Sequence, residues 1–147
     1  MTIQAQILEL MQSLQKELGM AIIMITHDLG VVAQMCDEII VMYAGAVCEK
    51  GTADEIFYDP HHAYTKGLLR SIPSVENAGQ KLQPITGTPI DLLNMPKGCP
   101  FAPRCGEAMK ICIGRPCPQM CISDTHTAAC WLNVRDGYTE TDASEEG

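Results

Sequence analysis

Ile3, Ile7, Leu10, Met11, Leu14 and Leu18 recur at spacings of three and four residues, which lays one apolar stripe along a helix. Gly19 follows the stripe and suits the left-handed stop that closes a helix. Met20 to Ile25 is then continuously apolar, the pattern of a strand buried on both faces of a parallel sheet covered by helices. Helix followed by buried strand is half of an α/β unit. Thr26-His27-Asp28 ends the strand, and Asp28 is placed to cap a short helix carrying Val31, Val32 and Met35. Glu38 to Tyr43, a turn at Ala44-Gly45-Ala46 and Val47 to Lys50 read as a hairpin at a sheet edge. Thr52-Ala-Asp-Glu55 has the form of a capping box and opens a helix through Ile56 and Phe57. Asp59-Pro60 breaks it, and a second helix runs from about His62 to Ser71, ending before Pro73.

Beyond Pro73 the pattern dissolves. Pro84, Gly87, Pro89 and Pro96 interrupt short apolar fragments at Leu82 to Ile85 and Ile90 to Leu93, so an extended connector with one short strand is expected. The 147 residues make one ordinary domain in length. Ile, Leu, Val and Met are dense in the first seventy residues, whereas Pro, Gly, Cys and Thr dominate afterwards. Two unequal parts follow: Met1 to about Ser71, and a small metal-stapled lobe from about Gly98 to Val134. No internal repeat is visible.

The net charge of −8 changes this picture little, because Asp136, Glu140, Asp142, Glu145 and Glu146 sit in a tail without Lys or Arg. That tail reads as a solvated, disordered end. Basic residues are few and scattered, and the aromatic residues are two Phe, four Tyr and one Trp, which argues against a nucleic-acid partner. No apolar run reaches the ~20 residues that span a bilayer, and no signal-type N-terminus is present. A cytosolic setting, where thiols stay reduced, makes eight cysteines more consistent with metal ligation than with disulfides. A secreted disulfide knot is the alternative.

Chemistry concentrates in two places. His27 stands directly after the expected buried strand, where open α/β sheets bind ligands. An imidazole there can hydrogen-bond a phosphate oxygen or an attacking water, or serve simply as a turn residue beside Asp28. Cys99, Cys105, Cys112 and Cys130 are separated by five, six and seventeen residues on a loop-rich background. Four thiolates suit tetrahedral zinc or an iron–sulfur cluster. The first two gaps are wider than a zinc knuckle and favour the cluster, with Gly98, Pro100 and Pro103 letting the chain bend and aim backbone N–H groups at the sulfurs. Cys117, Cys121 and His126 lie inside the last gap as loop residues that could compete for ligation. Cys36 and Cys48 fall in apolar stretches as small buried residues. His61-His62, adjacent at a helix start, read as structural, and the methionines as core filler.

These segments resemble one family. Thr2 to Met11 is similar to the helix that follows the D-loop in ATP-binding-cassette (ABC) ATPases of the dipeptide/oligopeptide/nickel importer family. Met20 to Ala33 resembles its switch-histidine segment, and Cys36 to Gly45 the strands that close the nucleotide-binding domain. Phe57 to Pro73 resembles the start of the family's C-terminal extension, completed by Gly98 to Cys105, Cys112 and Ala129 to Leu132. Many transporter ATPases share the switch segment; the cysteine-bearing extension is far more selective.

The resemblance implies an α/β fold, the C-terminal portion of a P-loop NTPase (ABC-type) nucleotide-binding domain followed by a small cysteine-rich metal-binding extension. The implied division is 1–56 for the C-terminal part of the ATPase domain, 57–97 for the family-specific extension and connector, 98–134 for the cysteine-rich cluster-binding lobe and 135–147 for the acidic disordered tail. It further implies that His27 contacts the γ-phosphate and attacking water of Mg-ATP, and that Cys99, Cys105, Cys112 and Cys130 hold a [4Fe-4S] cluster, with zinc as the alternative. Implied partners are a second ABC ATPase subunit, integral-membrane permeases and an extracytoplasmic solute-binding protein, at the cytoplasmic face of the membrane. The family's phosphate loop, Q-loop glutamine, signature and Mg-holding aspartate with its catalytic glutamate have no match here. The expectation is therefore the last third to half of a longer importer subunit, without ATP turnover of its own. The competing expectations are a stand-alone metal-binding module that docks on a partner and a small electron-transfer protein.

Overall fold

A computed structural model describes residues 2–73 and 84–140. The chain divides into two compact units, Met1–Asp37 and Glu38–Gly147.

In the first unit, helix α1 spans Ile3–Leu18; the Thr2 hydroxyl accepts the Ala5 amide at its start, and Gly19 ends it at φ 62°. The apolar stripe forms as its spacing predicts, yet none of its residues is buried. Helix α2 spans Leu29–Met35, and Asp28 Oδ1 accepts the amides of Gly30 at 2.9 Å and Val31 at 3.3 Å. Gln12 Nε2 donates to the Gln34 carbonyl at 3.1 Å, joining the two helices.

Between the helices lies a correction. Met20 to Ile25 forms no strand, and Ile23 and Ile25 stand 92% and 97% exposed. The parallel sheet expected around it is not found among the described residues; the sheet that forms is antiparallel. An apolar run specifies burial, but a strand exists only where neighbours complete its N–H and C=O groups.

The second unit is built on that sheet. Strands β1 (Glu38–Tyr43), β2 (Ala46–Thr52), β3 (Met120–Cys121), β4 (Thr127–Ala128) and β5 (Thr139–Glu140) lie in the order β1-β2-β4-β3-β5. The expected hairpin is present with β1 at the edge, Tyr43 opposite Ala46. Ala44 and Gly45 have φ of 51° and 80°, as a two-residue hairpin loop matched to strand twist requires. Along β1, Ile39, Val41 and Tyr43 are buried while Ile40 and Met42 face outward.

Helix α3 (Ala53–Tyr58) opens on the expected capping box. The Thr52 amide donates to Glu55 Oε2 at 2.8 Å, and the Thr52 hydroxyl accepts the Glu55 amide at 3.3 Å. Helix α4 (Ala63–Arg70) is capped by the His62 ring, whose Nδ1 accepts the Tyr64 amide at 3.0 Å. Short helices α5 (Lys110–Gly114) and α6 (Trp131–Arg135) and a 3₁₀ turn at Ala102–Arg104 complete the unit. Phe101 is 4% exposed and packs against Tyr43 and Tyr64 at ring separations of 5.4 and 5.3 Å, tying the cysteine segment to the hairpin and α4.

Two further expectations change. Pro84 to Pro96 contains no strand; Leu82 and Gln83 lie outside the described residues. The acidic end is not disordered from residue 135, because Arg135 closes α6 and Thr139–Glu140 pair with Cys121 and Met120. Acidic composition describes solvation, but a strand edge accepts such residues when their side chains point outward. Residues 141–147 of that tail lie outside the described residues.

Candidate functional site

His27 belongs to the first unit. It sits exposed on a bend between the apolar segment and the Asp28 cap, where Thr26 Oγ1 accepts the Asp28 amide at 3.0 Å. Its position directly after the apolar run and directly before a capped helix is the one read from the sequence.

The four spaced cysteines come together in the second unit. Cys99, Cys105, Cys112 and Cys130 all line one small, mostly apolar cavity, with His62, Phe101, Ala102 and Trp131 among its other walls. Three segments deliver them. Cys99 and Cys105 flank the 3₁₀ turn, whose hydrogen bonds run from the Ala102 amide to the Cys99 carbonyl and from the Cys105 amide to the Ala102 carbonyl. Cys112 rides on α5, and the Cys99 amide donates to its carbonyl at 2.7 Å. Cys130 follows β4, after the Ala129 amide donates to the Cys48 carbonyl at 2.8 Å.

Gly98 permits the first junction. A Cβ there would stand 2.1 Å from the Cys112 carbonyl oxygen and 2.7 Å from the Ile113 backbone, so only glycine lets the two segments approach. The sequence marks this glycine as a bend; its contact with Cys112 requires the folded chain.

Backbone N–H groups reach every one of the four sulfurs: Phe101 and Ala102 on Cys99, Glu107 on Cys105, Met109 on Cys112 at 3.4 Å and Leu132 on Cys130. Such donors favour a thiolate. Burial works the other way and pushes the thiols of Cys99, Cys105 and Cys130 up, and the closeness of the other sulfurs adds to it. Once deprotonated, sulfurs grouped in this way with amide donors are the kind of donor set that soft cations take. Cys117 and Cys121 instead donate their S–H groups to the Pro118 and Ser123 carbonyls at 3.2 and 3.4 Å. Burial also pushes Cys117 up to about 12.

Beside this cavity lies a polar cluster that the sequence hides. Glu49 is fully buried; its Oε1 accepts the His61 amide at 2.7 Å and the His126 Nε2–H at 2.6 Å, and its Oε2 accepts the His62 amide at 3.1 Å. Asn133, 2% exposed, donates Nδ2 to the His61 carbonyl at 3.2 Å and accepts His61 Nδ1 on Oδ1 at 3.0 Å. Burial lowers His62 to about 4, against the opposing pull of Glu49, which keeps its ring neutral and free to accept as the α4 cap. Glu49 thus fastens the turn before α4 to the strand pair that leads into Cys130.

The signal that marks Glu49 is faint. Strand alternation turns it outward if Cys48 turns inward, but the irregularity between Val41 and Met42 shifts the register, and both are buried. Its partner His126 is 77 residues away.

The family model for the oligopeptide/dipeptide transporter C-terminal region matches residues 48–112. The dipeptide transport ATP-binding protein DppD of Bacillus subtilis is 54% identical over 132 residues, 89% of this chain and 39% of the relative. The oligopeptide transport ATP-binding protein OppD of the same organism is 57% identical over 132 residues, 89% and 37% of the two. OppD of Salmonella typhimurium is 48% identical over 135 residues, 92% and 40%. The chain therefore spans about two fifths of the length of these relatives. Over that length it is similar to the oligopeptide/dipeptide transport ATP-binding proteins, and the matching family model describes their C-terminal region.

Proposed function

We propose that the chain is the C-terminal part of an ATP-binding subunit that energises uptake of dipeptides or oligopeptides. The observation that carries this is identity of 54% and 57% to a dipeptide and an oligopeptide transport ATP-binding protein across 89% of the chain. His27 acts on the γ-phosphate and attacking water of Mg-ATP held by the rest of that subunit. Phosphoryl transfer is positioning and charge stabilisation, and His27, exposed directly before a capped helix start, offers an imidazole to that chemistry. The sequence contains no Gly-x-x-x-x-Gly-Lys-Ser/Thr loop to cradle the phosphates, so the chain alone does not turn over ATP.

The partners are a second ATPase subunit, membrane permeases and a solute-binding protein, with the subunit peripheral at the cytoplasmic face. Among the described residues no helix is long and apolar enough to cross a membrane. Cys99, Cys105, Cys112 and Cys130 hold a [4Fe-4S] cluster, with zinc the competing occupant. Their shared cavity and the amide donors on each sulfur support this. Bound there, the cluster cross-links the three segments that deliver the cysteines. In this reading 1–56 is the ATPase part, 57–97 the family-specific extension that acts as connector, and 98–134 the lobe that holds the cluster.

A chimera tests the transport reading. This chain replaces the matching C-terminal part of Bacillus subtilis DppD, and dipeptide uptake is measured in cells lacking DppD. Uptake is restored by the chimera and abolished by His27→Ala. An assembled chimera that fails to transport, or one indifferent to His27→Ala, overturns it.

A further inference from the structure

One constellation is left unused by that reading. Asp59, His61 and His126 each offer a ligand atom, and these atoms lie within 4.8 Å of one another. None of the three lines the four-cysteine cavity. They come from separate places: Asp59 ends α3, His61 precedes α4 and His126 precedes β4.

The hydrogen bonds fix where their electron pairs lie. Asn133 donates Nδ2 to the His61 carbonyl, so its Oδ1 accepts from His61 Nδ1–H. His61 Nε2 is left with a lone pair, and it faces Asp59 Oδ2 at 3.2 Å. Two acceptors that close require a proton or a metal ion between them. His126 Nε2 faces Glu49 Oε1 at 2.6 Å, so Nδ1 is the ring nitrogen that Glu49 does not take. Each histidine thus has one ring nitrogen held by a buried amide or carboxylate oxygen, the second-sphere pattern that orients imidazole ligands to a metal, while the other nitrogen of His61 turns to Asp59. Glu49 and Asn133 are themselves buried, so they hold the rings firmly. Asp59 is 73% exposed on its side chain and gives the ion a way in from solvent.

We propose that Asp59, His61 and His126 bind one divalent transition-metal ion, of the zinc, cobalt or nickel type, with its remaining positions open to water. Two imidazoles and a carboxylate suit such borderline ions. The ion clips the turn between α3 and α4 to the loop before β4. The adjacent histidines divide the work: His62 caps a helix and His61 ligates.

Cobalt tests the site because its spectrum names its ligands. Co²⁺ is titrated anaerobically into the full chain and into Asp59→Asn and His61→Gln. Thiolate ligation gives intense near-ultraviolet sulfur-to-cobalt absorption, whereas nitrogen and oxygen ligation gives only weak visible bands. The wild-type chain is expected to bind one equivalent more than either variant, and that equivalent shows no sulfur-to-cobalt absorption. Asp59 is exposed, so Asp59→Asn retains the fold, checked by circular dichroism. Equal cobalt content in wild type and Asp59→Asn, or sulfur-to-cobalt absorption in the missing equivalent, overturns the proposal. Because the readout is stoichiometry at non-thiol ligands, it stands or falls apart from the cysteine assignment.

Discussion

Glu49→Gln is the sharpest perturbation of the second unit, because it keeps the shape of the side chain and removes one acceptor and the charge. The carboxylate takes three donors, at 2.7, 3.1 and 2.6 Å, in a position 0% exposed. The amide has one acceptor oxygen, so at least one of the His61, His62 and His126 N–H groups faces an N–H donor instead. Losing a buried hydrogen bond to a charged group costs about 1.5–3 kcal/mol, and weakening the others to neutral bonds adds about 1 kcal/mol. The sum is about 3 kcal/mol, toward the lower end of the cost of breaking a buried pair. Trp131, the single tryptophan, donates Nε1 to the Arg115 carbonyl at 3.1 Å and lies in this unit, so its fluorescence reports the relevant unfolding. Urea denaturation should show the midpoint falling by about 1.5–2 M. Lys50→Ala is the reference: Lys50 Nζ and Glu38 Oε1 stand 3.2 Å apart but are 47% and 59% exposed, and such a pair contributes less than about 1 kcal/mol. If Glu49→Gln costs no more than Lys50→Ala, the buried cluster does not hold the unit together.

Three other outcomes follow from the same geometry. Gly98→Ala places a methyl 2.1 Å from the Cys112 carbonyl; the backbones must separate, costing about 3 kcal/mol, and both thermal unfolding and iron retention should fall. Ala44→Asn relieves a non-glycine residue at φ 51° and should raise stability by about 0.5–1 kcal/mol in the same urea assay. Glu55 is held down to about 2 despite burial, by the Thr52 amide and by the hydroxyls of Thr125, Ser123 and Thr52. A depressed carboxyl stabilises the fold fully above its ordinary value of 4.5, and that contribution fades as pH drops toward about 2. Unfolding midpoints measured across this window should slope less in Glu55→Gln than in wild type.

What the sequence discloses is mostly local. Thr52 and Glu55, Asp28 and Gly19 act on groups within four residues, so composition and spacing suffice to place them. The hairpin at Ala44-Gly45 is legible for the same reason. The spacing of the four cysteines on a loop-rich stretch marks them as a group, and the fold lines one cavity with all four; what they hold is the proposal. Met20 to Ile25 carries the composition of a buried strand, but pairing depends on neighbours that composition does not name. Glu49 and Asn133 remain hidden because their partners lie up to 77 residues away and strand alternation points Glu49 the wrong way. The adjacent histidines show the same limit: nothing in His61-His62 says that one ring turns to Tyr64 and the other to Asp59.

The central claim, that Cys99, Cys105, Cys112 and Cys130 jointly hold an iron–sulfur cluster, is tested most directly by iron and acid-labile sulfide analysis of anaerobically purified chain. About four iron and four sulfide per chain are expected, lost on Cys112→Ser or Cys130→Ser and retained on Cys121→Ser. One zinc per chain with no iron, or iron that survives Cys112→Ser and disappears with Cys121→Ser, would contradict it.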